Sequence, residues 1–168
     1  MTAKSTSNPW AYFDTSALVK RYVQEPGRRE VLKLLRKHDF VTSALLPVEL
    51  RSAFRRRVTD GTLSAAKVPL ILRRAAADRA YWTLVEVGTT VLSAAETLVA
   101  THPIRTLDAI HVASAQLFAA RLPSAALVFV SADQRQTEAA IAIGLSAQYI
   151  SSEVPVRRSR GRTKNAGL

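Results

Sequence analysis

At 168 residues with 48% apolar side chains and a mean hydropathy of +0.03, the chain can fill one sizeable core and reads as a soluble globular domain. No apolar run reaches the ~18 residues of a membrane span, MTAKSTSNPW lacks the apolar stretch of a secretory signal, and the absence of cysteine excludes disulfides, thiolate metal sites and thiol nucleophiles, so a cytoplasmic protein is expected. The balance of 24 Lys and Arg against 13 Asp and Glu, +11 net, points to a polyanion partner, with nucleic acid ahead of a membrane surface.

Residues 1–9 are polar and end at Pro9, a loose leader. Trp10–Phe13 is a short apolar run ending at Asp14, as a buried parallel strand would be. A helix over Ala17–Val23 is stopped by Gln24-Glu25-Pro26-Gly27, and Arg28–Lys37 carries the stripe of a second. Phe40–Thr42 reads as a strand. Pro47 suits the first turn of a helix whose Leu50, Ala53, Phe54 and Val58 share one face as far as Gly61.

A long helix is expected over Ser64–Tyr81, a strand over Thr83–Val87 and a helix over Thr89–Ala100. Thr106 is positioned to cap a helix running through Asp108–Arg121 to Pro123. Ala126–Val130 is the clearest strand, followed by a helix over Asp133–Ile143, the stop at Gly144 and a last strand at Gln148–Ile150. Strands alternating with helices predict an α/β domain with a parallel sheet of about five strands and helices on both faces. The stretch from Glu153 onward is Arg-rich. Five bases against Glu153 give it +4, which leaves +7 on the body of the chain.

Acids are the scarce charge type, and four of them fall where a strand or helix would aim them at the carboxyl edge of such a sheet: Asp14, Glu49, Asp108 and Asp133. Each has a structural alternative. Asp14 and Asp133 could cap the helices that follow them, and Glu49 and Asp108 could answer a helix dipole. Gathered together, four carboxylates repel unless a cation lies between them. All-oxygen ligands favour Mg²⁺ or Mn²⁺, which can activate water against a phosphodiester.

Ser16 and Ser131, beside Asp14 and Asp133, could hold water or phosphate, with turn chemistry as the alternative. Arg51, Arg55 and Arg56 lie on or beside the Glu49 helix face and could meet phosphates if that face is not merely solvated. His111 follows Asp108 on the same helical face and is read first as a packed residue, second as a member of the site. A dehalogenase-type phosphatase would need a second acid where Ser16 stands, and a phosphotransfer receiver a lysine where Ser131-Ala132-Asp133 stands.

At FDTSALVK, PVELRSAF, RTLDAIHVASA and VFVSADQRQTEAAIAIGL the chain resembles PIN-domain ribonucleases, most closely VapC-type toxins of bacterial toxin–antitoxin pairs. The four pieces keep the family's order from about Trp10 to Ile150. The resemblance implies a three-layer α/β/α PIN fold over 10–152, between the leader at 1–9 and a basic tail at 153–168. It also implies Mg²⁺- or Mn²⁺-dependent endonucleolytic cleavage of RNA by a toxin. It carries Asp14, Glu49, Asp108 and Asp133 onto the metal-binding and catalytic positions, with Ser16, Ser131 and Thr15 in support. It further implies a cognate antitoxin and a homodimer. A flap-type DNA nuclease fits less well, since its extra acids and helical clamp are missing. A non-catalytic nucleic-acid-binding protein on a PIN-like fold is the remaining alternative.

Overall fold

The computed structural model of the chain describes residues 8–122 and 127–153, so most of the leader, Pro123, the start of the strand at Ala126 and nearly all of the basic tail lie outside it. Among the described residues the elements alternate along the chain. They begin with β1 (Trp10–Phe13), α1 (Thr15–Tyr22), α2 (Arg28–Lys37), β2 (Asp39–Ser43) and α3 (Leu46–Thr59). There follow α4 (Val68–Asp78), β3 (Thr83–Val85), α5 (Thr89–Thr101), α6 (Thr106–Ala119), β4 (Leu127–Ser131), α7 (Gln134–Ala142) and β5 (Ser146–Tyr149).

All strand pairs are parallel, and the order is β3-β2-β1-β4-β5. The chain builds outward from β1 to β2 and β3 on one side, then returns to lay β4 and β5 on the other. The sheet therefore reverses its strand order between β1 and β4, and the crevice beyond the carboxyl ends of those strands is where open α/β sheets bind ligands.

Side chains of β1 alternate between two cores, as the two-residue strand period requires. Ala11 and Phe13 face a layer that includes Leu18, Leu50, Phe54 and Ile71 of α1, α3 and α4. Tyr12 faces the opposite layer, with Val91, Leu98 and Val112 of α5 and α6. The architecture is the three-layer α/β/α arrangement expected from the alternation of elements. Small side chains let α6 approach the sheet: Ala109, Ala113, Ser114 and Ala115 are all buried.

Several expected elements differ in extent, among them the strand expected over Thr83–Val87, which ends at Val85. The helix expected over Ser64–Tyr81 is a 3₁₀ turn at Ala65–Lys67, the α-helix Val68–Asp78 and a second 3₁₀ turn at Arg79–Tyr81. Pro69 has no N–H and so suits only the first turn of an α-helix, which sets the start at Val68. The last strand begins two residues earlier than expected, because Val128 to Ser131 pair with Ser146 to Tyr149.

Candidate active site

Asp14 leaves β1 at the reversal of strand order. Its N–H donates to Val130 O at 3.1 Å, tying it to β4, and its Oδ1 accepts from Ala17 N–H at 2.9 Å, capping α1. The side chain is only 4% exposed. Ser16 Oγ donates to the same carboxylate, 2.7 Å from Oδ2, and accepts from Ala132 N–H at 2.9 Å. Burial pushes the Asp14 carboxyl above its ordinary range, against the opposing pull of His111, Ala17 N–H and Ser16. Capping and a place in the cleft lining thus coexist in one residue.

Glu49 enters from the first turn of α3, and both of its side-chain hydrogen bonds fall on a single oxygen. Its Oε2 accepts from Thr15 Oγ1 at 2.7 Å and pairs with His111 Nε2 at 2.7 Å. Burial alone would raise the Glu49 carboxyl, but the hydrogen bond and charge of His111, with the Thr15 hydroxyl, hold it below its ordinary value. On the far side of the imidazole, Nδ1 meets the Tyr12 hydroxyl at 2.9 Å. Burial would depress His111, yet Glu49, Asp14 and Asp108 together raise it.

Asp108 comes from the first turn of α6, half-buried. Burial and then the charge of Asp133 push its carboxyl up. Asp133 follows β4 and caps α7 by accepting from Arg135 N–H at 2.9 Å and Gln136 N–H at 3.3 Å through Oδ1. Ser131, buried at the end of β4, accepts from Asp133 N–H at 2.9 Å and donates to Gln136 Oε1 at 2.7 Å. It therefore shapes the turn that presents Asp133, rather than facing the cleft itself.

Asp14, Glu49, Asp108 and Asp133 all line one cleft of about 800 Å³, together with Thr15, Ser16 and His111. Arg56 also lines it, whereas Arg55 lines a shallower neighbouring depression that shares Ser52 and Arg56 with the cleft. Arg51 is exposed on the same helix and lines neither. Thr106 lines the cleft but does not cap α6 as expected: the helix begins at Thr106 itself, so Arg105 occupies the cap position, without a side-chain capping bond, and also lines the cleft.

Sequence reasoning missed another part of the lining, formed by Lys20, Glu25 and Arg57. There Lys20, 2% exposed, donates to Pro26 O and to Ser152 Oγ, both at 3.0 Å, and pairs with Glu25 at 3.3 Å. Glu25 is in turn bound by Arg57 at 2.8 Å. The only signal for this clasp was a lysine set among the apolar residues of α1.

Among the described residues no group of three or more His, Asp or Glu side chains is arranged to hold one ion. The four acids share a cleft without forming a closed ligand cage. The donor set nonetheless fits a hard cation. Mg²⁺ usually keeps several waters and takes one or two carboxylates plus substrate phosphates, not a cage of protein ligands. Burial of Asp14, and the repulsion of Asp108 by Asp133, are costs that a divalent charge would offset.

A family model, the PIN domain, matches residues 11–142, and the chain belongs to that family. PIN domains are in general nucleases. Among solved structures the chain is similar to a toxin–antitoxin complex from Klebsiella pneumoniae at 19% identity and a TM-score of 0.55, over 75% of this chain and 88% of that one. The likeness is one of fold. No curated protein matches the chain.

Proposed function

We propose that the chain is an endoribonuclease that uses Mg²⁺ or Mn²⁺ and serves as the VapC-type toxin of a type II toxin–antitoxin pair. The observation that carries this reading is the arrival of four carboxylates from four different elements in one cleft at the reversal of strand order. In this reading Asp14, Asp108 and Asp133 supply oxygens to the cation, directly or through water, and Glu49 completes the acidic wall. Bound there, the cation would lower the pKa of a water and stabilise charge on the phosphodiester.

The chain's own residues do the rest. Ser16 orients Asp14, Ser131 shapes the Asp133 turn, and Thr15 orients Glu49. Arg56 and Arg105 at the cleft, with Arg55 and Arg51 beyond it, would hold backbone phosphates on either side of the scissile bond. The net charge of +11 favours RNA approach.

An antitoxin partner accords with the structural neighbour, which is a toxin–antitoxin complex, and a homodimer with the VapC resemblance. The domain is taken as 10–152, between the leader at 1–9 and the basic tail at 153–168. No helix among the described residues is long and apolar enough to cross a membrane.

The test is cleavage of end-labelled structured RNA, beside DNA of the same sequence, by wild type and Asp108→Asn with added Mg²⁺ or Mn²⁺. Metal-dependent cutting of RNA by wild type alone supports the reading. Salt-sensitive RNA binding with no turnover in either protein would favour a non-catalytic nucleic-acid-binding protein on the same fold.

A further inference from the structure

His111 is buried to 2% exposure and has both ring nitrogens engaged. A packed imidazole needs only to satisfy its nitrogens, and main-chain carbonyls would do. Here its partners are two side chains from two other elements: Tyr12 of β1 on Nδ1 and Glu49 of α3 on Nε2. Thr15 of α1 donates to the same Glu49 oxygen. Four elements thus converge on the carboxylate through three hydrogen bonds, each between 2.7 and 2.9 Å. Both bonds to Glu49 fall on Oε2, so Oε1 is the oxygen left for a water or substrate.

We infer that His111 is a positioning residue for the nuclease reaction: its Nε2–H fixes the Glu49 carboxylate against the cleft, and the Tyr12 hydroxyl, hydrogen-bonded to Nδ1, holds the ring in place. The inference rests on the nuclease reading above. A glutamate on an exposed first turn samples several rotamers. One held through Oε2 by a donor on each side presents Oε1 in a single place, and such restraint is worth most when the reacting geometry is tight.

The experiment compares wild type with His111→Ala, His111→Gln, Tyr12→Phe, Glu49→Gln and the His111→Ala/Glu49→Gln double variant. Each is assayed on one RNA with Mg²⁺, with thermal midpoints as folding controls and with the long-range ¹H–¹⁵N spectrum of the histidine ring. His111→Ala is expected to lower kcat by about 10–100-fold, the usual range for a group that orients a metal-site carboxylate, with KM little changed. His111→Gln, whose amide N–H reaches the Nε2 position, recovers most of that loss, and Tyr12→Phe loses a few-fold. The double variant is no slower than Glu49→Gln alone, because both changes remove one interaction.

The spectrum of wild type shows His111 protonated at Nε2, and the signal moves in Glu49→Gln. Should His111→Ala destabilise the fold, the His111→Gln rescue, the Tyr12→Phe loss and the spectrum still decide. Wild type that cuts while His111→Ala or Tyr12→Phe cuts equally well overturns the positioning role alone, as does a double variant whose losses multiply. Wild type that cuts no RNA overturns the nuclease reading as well.

Discussion

Ser16 and Ala132 meet through one hydrogen bond: the Ser16 hydroxyl accepts the Ala132 N–H at 2.9 Å while donating its own proton to Asp14, 2.7 Å from Oδ2. A single hydroxyl therefore joins the outgoing ends of β1 and β4 and restrains the most buried acid of the cleft. Ser16→Ala leaves the Ala132 N–H without that acceptor, and stability should fall by about 1 kcal/mol. Turnover should fall with it, since Asp14 loses a donor. Denaturant midpoints and single-turnover cleavage, read together, check both effects.

Asp14→Asn separates chemistry from folding. Asparagine caps a helix as well as aspartate does, so the bond from Ala17 N–H survives. The substitution also removes a charge whose burial is unfavourable. The thermal midpoint should hold or rise while cleavage drops at least a hundredfold. Millimolar Mg²⁺ should raise the midpoint of wild type more than that of the variant, because only a ligand of the folded state stabilises it. A variant that gains as much as wild type would remove Asp14 from the metal site.

Away from the cleft, Arg21 grips Asp78 through Nε and Nη2 at 2.7 and 2.8 Å, and the Tyr22 hydroxyl adds a third bond at 2.8 Å. The Arg21 hydrogen bonds, outweighing partial burial, hold the Asp78 carboxyl below its ordinary value. A carboxyl lowered on folding stabilises the fold above its unfolded-state pKa, and that contribution is lost as pH falls through the lowered folded value. Discounted for solvent screening, Asp78→Asn should cost about 1 kcal/mol at neutral pH. The gap between variant and wild type should close in acid, as urea midpoints measured across that range would show.

Gly27 and Gly61 both have positive φ, at 84° and 77°, and differ in their surroundings. A Cβ on Gly27 would meet Ile150 Cγ2 at 2.5 Å and Ser151 O at 2.8 Å, whereas one on Gly61 meets nothing within 4 Å. Gly61→Ala should therefore cost only the left-handed strain of about 1–2 kcal/mol. Gly27→Ala adds a clash with main chain and should cost clearly more, with the exit from β5 displaced. Thermal melts of the two variants side by side give the comparison.

The part of the site that was legible in the sequence is the part set by local pattern. An apolar run ending at Asp14, another ending just before Asp133, and amphipathic helices carrying Glu49 and Asp108 are enough to place four acids at one sheet edge, and all four line one cleft. The capping by Asp14 and Asp133 was legible as well, since both stand directly before a helix. The partner of Glu49 was not: it meets His111, 62 residues away. Periodicity identifies the face of α6 that carries His111. It does not say which side chain of α3 will cross to it, because that depends on how closely the small residues of α6 let it approach the sheet. In the Lys20–Glu25–Arg57 clasp the link from Glu25 to Arg57 of α3 has the same long-range character, and the lysine within α1 alone did not announce it.

The most direct measurement of the central claim is cleavage of a defined RNA by purified wild type, with chelator and then with Mg²⁺ restored, beside Asp14→Asn and Asp108→Asn. Discrete internal cuts that vanish with chelator, return with the metal and are absent from both folded variants are the expected result. Cuts that persist in chelator, or that either variant makes at the wild-type rate, would contradict the assignment of this acidic cleft as a metal-dependent nuclease centre.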